Sequence, residues 1–149
     1  MFPNQAPGMY VDLDTVLEVD DQFGIREVHP ADVDFADTLV AGFEMPPFVR
    51  DPMQKVLKAF GPQQVTSLAH RDGHPAGVGS GFITGETLGI YNIATLPEDR
   101  GHGVGTAITS ALMREGRNRG CTHAILHTSL MGRPVYEMLG FEEACSTAQ

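Results

Sequence analysis

Apolar and polar residues along this chain follow two different periods, and the changes of period mark its predicted elements. Alternation at period two predicts strands, whereas apolar residues three or four positions apart predict helices. The pattern predicts an N-terminal strand over 9–13, followed by elements in the order β–α–α–β–β–β–α–β–α–β. A chain of 149 residues with this pattern is expected to form one mixed α/β domain over 1–149, in which 1–22 hold the first strand and a linker.

Two amphipathic helices are predicted after a strand over 23–28. Asp32 is placed to cap the first helix, which Glu44-Met45-Pro46-Pro47 ends. The second helix is predicted over 49–60, with Gly61-Pro62 at its end. The side chains expected to face the core are Phe35, Leu39 and Phe43 in the first helix and Met53, Val56, Leu57 and Phe60 in the second.

Two strands over 63–70 and 75–84 are predicted to form a hairpin, because Asp72-Gly73 supplies a two-residue turn. Three glycines, Gly77, Gly79 and Gly81, alternate in the second strand, so one of its faces carries no side chains. A bare face predicts that another element packs closely against this strand.

The stretch 88–119 combines a strand, a glycine-rich turn and a helix, and the rest of the chain is organised around it. The apolar strand stops at Pro97, and Arg100-Gly101-His102-Gly103-Val104-Gly105 leads into a helical run. Glycines let the backbone approach a ligand closely, and the free N–H groups of a first helical turn attract anions. The turn is therefore predicted to bind a phosphate group. A turn that merely joins strand to helix is the alternative.

Two common phosphate-binding patterns do not fit this turn. A dinucleotide-binding turn requires G-x-G-x-x-G, but the sixth positions counted from Gly101 and Gly103 are Thr106 and Ile108. A P-loop requires a Gly-Lys pair, and the sequence has none.

A second pattern follows this stretch. Residues 121–129 predict a short buried strand, and 133–141 predict a short helix with Pro134 in its first turn and Gly140 at its end. This helix carries Tyr136 four residues before Gly140-Phe141.

Together, the two patterns resemble the GNAT superfamily of N-acetyltransferases. Arg100, Gly103 and Gly105 fill the pattern Q/R-x-x-G-x-G/A of that superfamily's coenzyme A pyrophosphate loop, and Tyr136-x-x-x-Gly140-Phe141 matches its last helix and the strand after it. The resemblance implies the GNAT fold, a central twisted mixed sheet with about four helices. It also implies acetyl-CoA as co-substrate and direct attack by a primary amine of a small molecule or peptide.

The resemblance also assigns the site residues. Those expected to bind acetyl-CoA are Ile93, Ala94 and Thr95 at the end of the strand and Arg100, Gly101, His102, Gly103, Val104, Gly105 and Thr106 in the loop. Tyr136 is expected to protonate the leaving thiolate, with a half-buried core tyrosine as the alternative. His127 and Glu44 are the candidate bases. His127 also fits an ordinary core or surface histidine, Glu44 also fits a group that binds a substrate cation, and a water chain could replace both.

The chain departs from the superfamily pattern at both ends. Only eight residues follow Phe141, so the final hairpin of two strands is shortened. The strand over 9–13 is extra. We expect it to fill the vacant position in the sheet, because an empty position would expose unpaired backbone groups. It could do so within its own chain or in a strand-exchanged homodimer, and we favour the homodimer.

The composition of the chain limits its possible partners and its cellular location. A formal net charge of −9 argues against a nucleic-acid partner, and without a run of about 18 apolar residues we expect no membrane span. The opening residues do not resemble a secretory signal, and Cys121 and Cys145 have no motif spacing, so a cytoplasmic location is expected. We expect no metal, because His123 and His127 would lie about 13 Å apart on a strand.

Two other functions remain open at this point. A coenzyme A-binding sensor or regulatory module without catalysis would explain why the strand before Pro97 carries no carboxylate, although Tyr136 argues against it. A protein that binds some other phosphate ligand would explain the glycine-rich loop alone.

Overall fold

The computed structural model describes residues 8–15, 22–59, 61–128 and 133–143. The strands are β1 (Gly8–Asp12), β2 (Arg26–Val28), β3 (Gln64–Arg71), β4 (His74–Thr84), β5 (Thr87–Thr95), β6 (His123–His127) and β7 (Glu142–Glu143). The helices are α1 (Val33–Gly42), α2 (Arg50–Ala59), α3 (Val104–Asn118) and α4 (Arg133–Met138).

The described strands form a single seven-stranded mixed sheet in the order β2-β3-β4-β5-β6-β1-β7. Strands β5 and β6 are parallel, and the other neighbours are antiparallel. Val78 in β4 packs in a cluster with Phe35 of α1 and Leu57 of α2. The neighbouring β4 residue Gly79 faces α3 instead, so the helices cover opposite faces of the sheet. This architecture confirms the predicted fold class.

The extra N-terminal strand lies inside the sheet rather than at its edge. Met9 pairs with Leu126 of β6 on one side and with Glu143 of β7 on the other. Met9 and Val11 are buried, and Tyr10 between them is exposed. Within a single chain, strand β1 therefore fills the sheet position between β6 and β7.

The three alternating glycines of β4 let α3 pack directly on the strand. A methyl group added at Gly79 would lie 2.5 Å from Ile108 Cγ2, and one added at Gly77 would lie 2.7 Å from Val104 Cγ1. Contacts this short do not occur between real side chains, so α3 could not take this position over a strand with side chains. The predicted close packing against the bare face of β4 is confirmed.

Helix α1 begins as predicted but ends differently. The Asp32 side chain accepts a hydrogen bond from the Phe35 backbone at 3.0 Å, and Phe35 and Leu39 are buried. Phe43 is 49% exposed, so its predicted core position is wrong. It follows the last residue of α1, where the helical period no longer determines the direction of the side chain.

Helix α2 is preceded by a 3₁₀ turn over Pro47–Val49 and is one residue shorter at its start than predicted. Leu57 is buried and Met53 is partly buried, as expected. Val56 is 53% exposed, because this flank of α2 borders a cavity rather than another element. Its predicted core position is therefore wrong. The predicted core residue Phe60 lies outside the described residues.

Two strands are shorter than predicted. Strand β2 begins at Arg26 instead of 23, after Gly24, whose φ of 54° interrupts an extended strand. The strand predicted as buried over 121–129 is β6, which covers only His123–His127 and alternates between exposed and buried side chains. One face of β6 is thus open to solvent.

Within the described residues, no helix is both long and apolar enough to span a membrane. The same residues contain no group of three or more His, Cys, Asp or Glu side chains that could hold a metal ion.

Candidate active site

Strands β5 and β6 run side by side only at their beginnings. Their ladder pairs Thr87 with His123 and ends where Gly89 pairs with Ile125. Beyond this point lies a cavity of about 390 Å³ between the two strands. The described residues that line it are Phe43, Ile90, Tyr91, Asn92, Ile93, Leu126, His127, Thr128 and Tyr136.

A β-bulge reshapes β5 beside this cleft. Tyr91 pairs with Ser80 and Ala94 pairs with Val78, so Asn92 and Ile93 together face a single β4 residue. Asn92 has a φ of 58°, a conformation that asparagine tolerates better than most residues. The bulge leaves the backbone groups of Asn92 and Ile93 outside the ladders with β4 and β6. On the side of β5 that faces the cleft, beyond the end of the β6 ladder, they have no strand partner among the described residues.

The glycine-rich loop joins the end of β5 to the start of α3. Gly101 and Gly103 have φ values of 82° and 88°, which favour glycine. Gly103 is the N-cap of α3, and no side chain caps the first turn of this helix. A Cβ atom added at Gly101 or at Gly103 would have no described residue within 4 Å apart from its own chain neighbours. The loop therefore offers uncapped N–H groups and room for an anion, which fits a pyrophosphate.

Arg100 uses its side chain to hold the loop in place. Its Nη2 donates to the Gly42 carbonyl at the end of α1 at 2.8 Å, and its Nε donates to the Thr95 carbonyl at 3.3 Å. Its Nη1 lies 3.7 Å from Glu44 Oε2. Because the guanidinium already has three protein partners, anion binding in this loop rests mainly on the backbone.

Asp99, immediately before Arg100, is buried and anchors the loop, although no sequence pattern singled it out. It is 0% exposed and accepts hydrogen bonds from Arg71 Nη1 and His74 Nε2, each at 3.0 Å. Burial by itself would raise the pKa of Asp99. The hydrogen bonds and positive charge of His74 and Arg71 outweigh burial and hold the pKa below its ordinary value. The β3–β4 hairpin thereby fixes the start of the loop.

Tyr136 places its phenol in the cleft from α4. Its ring packs edge-to-face on Phe141 with centroids 6.0 Å apart, and its hydroxyl is hydrogen-bonded to Thr109 of α3. Burial raises the pKa of the Tyr136 phenol above its ordinary value, and the hydrogen bond with Thr109 partly opposes this. Tyr136 therefore keeps its proton at neutral pH and can donate it.

His127 lies on the other side of the cleft, at the end of β6. It pairs with Gly8 of β1, and a methyl group added at Gly8 would lie 3.5 Å from His127 Nε2. The imidazole thus rests beside the backbone of β1. The inserted N-terminal strand therefore forms part of the wall behind His127.

Comparison with known proteins identifies the family. The model of the Acetyltransferase (GNAT) family matches residues 34–141, which include the cleft, the glycine-rich loop and Tyr136. The chain belongs to the GNAT acetyltransferase family. As a GNAT protein it is an N-acetyltransferase, and the fold supports transfer of an acetyl group from acetyl-CoA.

Solved GNAT structures share this fold at low sequence identity. A glucosamine-6-phosphate N-acetyltransferase from Arabidopsis thaliana is 21% identical with a TM-score of 0.67, over 86% of this chain and 97% of that one. An acetyltransferase from Trypanosoma brucei is 23% identical with a TM-score of 0.70, over 86% and 98%. A predicted acetyltransferase from Clostridium acetobutylicum, solved with acetyl-CoA, is 18% identical with a TM-score of 0.68, over 86% and 95%. No curated protein matches the chain.

The site residues predicted for this GNAT protein fall into two groups. Tyr136, His127 and Ile93 line the cleft, whereas the loop over 100–106 follows the end of β5. Glu44 does not line the cleft with Tyr136. Its carboxylate lies beside Arg100 instead.

The individual loop and strand-end residues differ in exposure. Arg100, Gly101, His102 and Gly103 are exposed, Thr95, Gly105 and Thr106 are partly buried, and Val104 and Ala94 are buried. Ala94 packs closely on α1, since a methyl group added at Gly42 would lie 2.9 Å from its Cβ. Val104 and Ala94 can therefore contribute only backbone atoms to a ligand.

Three further residues shape the site without having been predicted there. Phe43 lines the cleft, Asn92 forms the bulge and Asp99 anchors the loop. An asparagine inside an apolar strand was a usable signal for the bulge. The sequence carried no comparable signal for Asp99, whose partners Arg71 and His74 belong to a distant hairpin.

Proposed function

We propose that this protein transfers the acetyl group of acetyl-CoA to a primary amine by direct attack. One observation carries the proposal: Tyr136, His127 and the bulged backbone of Asn92 and Ile93 line the same cavity. A thioester held there would meet a proton donor, a candidate base and unpaired backbone groups.

Acetyl-CoA would bind along the glycine-rich loop and the adjacent end of β5. Uncapped N–H groups at the start of α3 and the open space at Gly101 and Gly103 support pyrophosphate binding over 100–106. The pantetheine arm would then follow the backbone of Ile93, Ala94 and Thr95. In this arrangement Arg100 fixes the loop rather than contacting the phosphates, since its guanidinium is engaged by Gly42 and Thr95.

The transfer requires two proton movements. The amine nitrogen attacks the thioester carbonyl carbon, and the electron pair of the C=O bond moves to oxygen, where backbone N–H groups of the bulge can stabilise it. When the carbonyl re-forms, the carbon–sulfur bond breaks and sulfur takes the phenolic proton of Tyr136. The nitrogen loses one proton to a base. The raised pKa of Tyr136, caused by burial, keeps this donor protonated at neutral pH.

We propose His127 as the base in preference to Glu44. His127 lines the cleft with Tyr136, whereas Glu44 Oε2 lies 3.7 Å from Arg100 Nη1. The paired variants His127→Gln and Glu44→Gln test this choice. We expect His127→Gln to lower kcat by about 10²-fold and Glu44→Gln to change it by less than about twofold. A larger loss in Glu44→Gln would reverse the assignment, and full activity in both would leave proton removal to a water chain.

Calorimetry with acetyl-CoA and assays of free thiol release with a panel of amines test the function as a whole. We expect binding of acetyl-CoA and amine-dependent thiol release. Binding without release for every amine would instead support a non-catalytic sensor, which is compatible with the uncharged lining of the cleft among the described residues. Absence of acetyl-CoA binding would contradict the loop assignment and favour another phosphate ligand.

We further propose that the protein forms a homodimer in the cytoplasm. Strand β1 is joined to β2 through a polar linker, so β1 of one copy could make with a second copy the same pairings it makes with β6 and β7. Cys121 is buried as a free thiol, which suits a reducing compartment. Light scattering of the intact chain is expected to give twice the mass of one chain, and a single-chain mass would contradict the dimer.

A further inference from the structure

A second cavity lies on the opposite side of β5 from the glycine-rich loop. It has a volume of about 470 Å³ and is bounded by Met53 and Leu57 of α2 and by Phe82 of β4. Tyr91 and Asn92 line this cavity and also the cleft between β5 and β6. The α2-side cavity therefore adjoins the place where we expect the acetyl group to be held.

Two buried polar atoms in the wall of the α2-side cavity lack hydrogen-bond partners. Gln64 is 8% exposed and Ser80 is 2% exposed, yet Gln64 Oε1 and Ser80 Oγ bond to no described residue. Buried side-chain polar atoms are nearly always paired in native proteins, by protein, water or ligand. Both side chains line the cavity, so a molecule bound there is the partner that these two polar atoms lack in the free protein.

The position of Ser80 relative to the reaction centre limits the size of that molecule. Ser80 pairs with Tyr91, two residues before Ile93. One strand spacing across the sheet and two residues along it separate the backbones of Ser80 and Ile93 by about 8 Å. A molecule that bonds to Ser80 and presents its amine at the bulge would thus carry two polar ends about 8 Å apart, with an apolar body between them.

The described lining offers no partner of opposite charge to a strongly charged molecule. None of the described residues around the α2-side cavity or the cleft is Asp, Glu, Lys or Arg. A polyamine or aminoglycoside needs carboxylates for its additional ammonium groups, and a sugar phosphate needs cations for its phosphate. Desolvating either kind of charge without a partner is unfavourable. An acceptor whose only charged group at neutral pH is the reacting amine does not face this cost.

We propose that the acceptor is a primary monoamine with an apolar body and one neutral hydrogen-bonding group remote from the amine. The apolar body lies against Met53, Leu57 and Phe82, the remote group bonds to Ser80 and Gln64, and the amine enters the cleft beside Asn92. This assignment rests on the proposed amine acetylation, because it takes the bulge in β5 as the reaction centre.

Binding and turnover with matched probes test the assignment. Tyramine has the required apolar body and remote hydroxyl, and phenethylamine lacks only the hydroxyl. Spermidine and glucosamine 6-phosphate represent the charged classes. We expect tyramine to bind at least tenfold more tightly than phenethylamine and than both charged probes in calorimetry. We expect the same order in kcat/KM for thiol release from acetyl-CoA.

The variants Ser80→Ala and Ser67→Ala provide the control. Both serines are buried, but only Ser80 lines the α2-side cavity. We expect Ser80→Ala to remove most of the preference for tyramine over phenethylamine without lowering the melting temperature, because the deleted hydroxyl has no partner in the free protein. Ser67→Ala should retain the preference. A merely structural role of Ser80 would lower the melting temperature and leave the preference intact.

The two readouts separate this inference from the proposed function. Tyramine binding that depends on Ser80, without thiol release, would support the acceptor assignment and contradict catalysis. Thiol release with spermidine or glucosamine 6-phosphate as the best acceptor would support catalysis and overturn the acceptor assignment. Equal binding of tyramine and phenethylamine would also overturn it.

Discussion

The hydroxyl of Thr109 in α3 is hydrogen-bonded to the phenol of Tyr136 in α4 and donates its own proton to the Gly105 carbonyl at 2.8 Å. A threonine hydroxyl has one proton, so it can donate either to the Gly105 carbonyl or to the Tyr136 oxygen, and donation to Tyr136 is what lowers the pKa of the phenol. After Tyr136 gives its proton to a thiolate, the Thr109 hydroxyl can turn and donate to the phenolate. Thr109 is thus placed to position Tyr136 and to stabilise its deprotonated form.

Removing the phenol hydroxyl should affect catalysis rather than donor binding. We expect Tyr136→Phe to lower kcat by about 10²-fold, as is typical for loss of a general acid, and to leave the acetyl-CoA dissociation constant nearly unchanged. Steady-state kinetics and calorimetry measure the two effects. Tyr10→Phe, an exposed tyrosine on β1, is the control and should retain full activity. An unchanged kcat in Tyr136→Phe would make Tyr136 a structural residue.

The role of Thr109 can be tested in the same series. Thr109→Val should lower kcat by about tenfold in the native background, because one hydrogen bond to a charged phenolate is lost. The same change in a Tyr136→Phe background should have almost no effect. An equal loss in both backgrounds would mean that Thr109 contributes through packing alone.

The affinity for acetyl-CoA should depend on the absence of a side chain at Gly103. Gly103→Val puts a branched side chain where the pyrophosphate is expected and should weaken acetyl-CoA binding at least tenfold, about 1.4 kcal/mol. Gly120→Val is the matched control, since Gly120 also has a positive φ, 95°, with open space around it but follows the end of α3. The backbone strain is similar in the two variants. Calorimetry on folded protein should show weakened binding in Gly103→Val alone.

Asp99 should stabilise the fold through its buried hydrogen bonds. We expect Asp99→Asn to lower the free energy of unfolding by about 2 kcal/mol, because the bonds to Arg71 and His74 lose their charge. Asp72→Asn removes an exposed carboxylate 3.8 Å from Arg71 and should cost less than about 0.5 kcal/mol. Urea unfolding compares the two variants, and equal losses would contradict the importance of burial.

The contribution of Asp99 should also disappear in acid. The folded-state pKa of Asp99 lies below its ordinary value, so the stabilisation is fully present above the unfolded pKa of about 3.9. It is lost as the pH falls through the lower, folded-state pKa. The stability difference between the native protein and Asp99→Asn should therefore shrink below about pH 4. A difference that grows in acid would contradict the direction of the shift.

Adjacent residues of β1 should differ sharply in their tolerance of charge. Val11 is buried, whereas Tyr10 faces solvent. Val11→Lys should therefore lower the melting temperature strongly or prevent folding, and Tyr10→Lys should change the free energy of unfolding by less than about 0.5 kcal/mol. Thermal unfolding followed by circular dichroism tests the pair. Similar melting temperatures in the two variants would mean that β1 is not held in the sheet.

The sequence was most informative where a local pattern has a single physical cause. The glycines at 77, 79 and 81 predicted a bare strand face, and α3 packs there. Asp72-Gly73 predicted a tight hairpin turn, and both residues have positive φ, 54° and 82°. In each case the information lies within a few consecutive residues.

Predictions from the sequence failed where distant elements decide the outcome. Helical periodicity placed Phe43 and Val56 in the core, but it could not show that Phe43 lies beyond the end of α1 or that a cavity borders α2. Nothing in the sequence around Asp99 predicted its burial, because its partners Arg71 and His74 come close to it only in the folded chain. The sequence could not predict that the Ser80 hydroxyl lacks a hydrogen-bond partner either, since tertiary packing alone determines whether a serine in a strand is hydrogen-bonded.

The order in which a ribosome makes these strands differs from the order in which the sheet can be completed. β1 is synthesised before every other described strand, yet its partners β6 and β7 are the last of them to emerge. A nascent chain therefore carries β1 without its partners until β6 and β7 have been made, with Met9 and Val11 exposed. Pairing of such distant segments is intrinsically slow and leaves an aggregation-prone edge until it is complete. Because β1 flanks His127, the cleft acquires its final wall only once β6 has been made and has paired with β1.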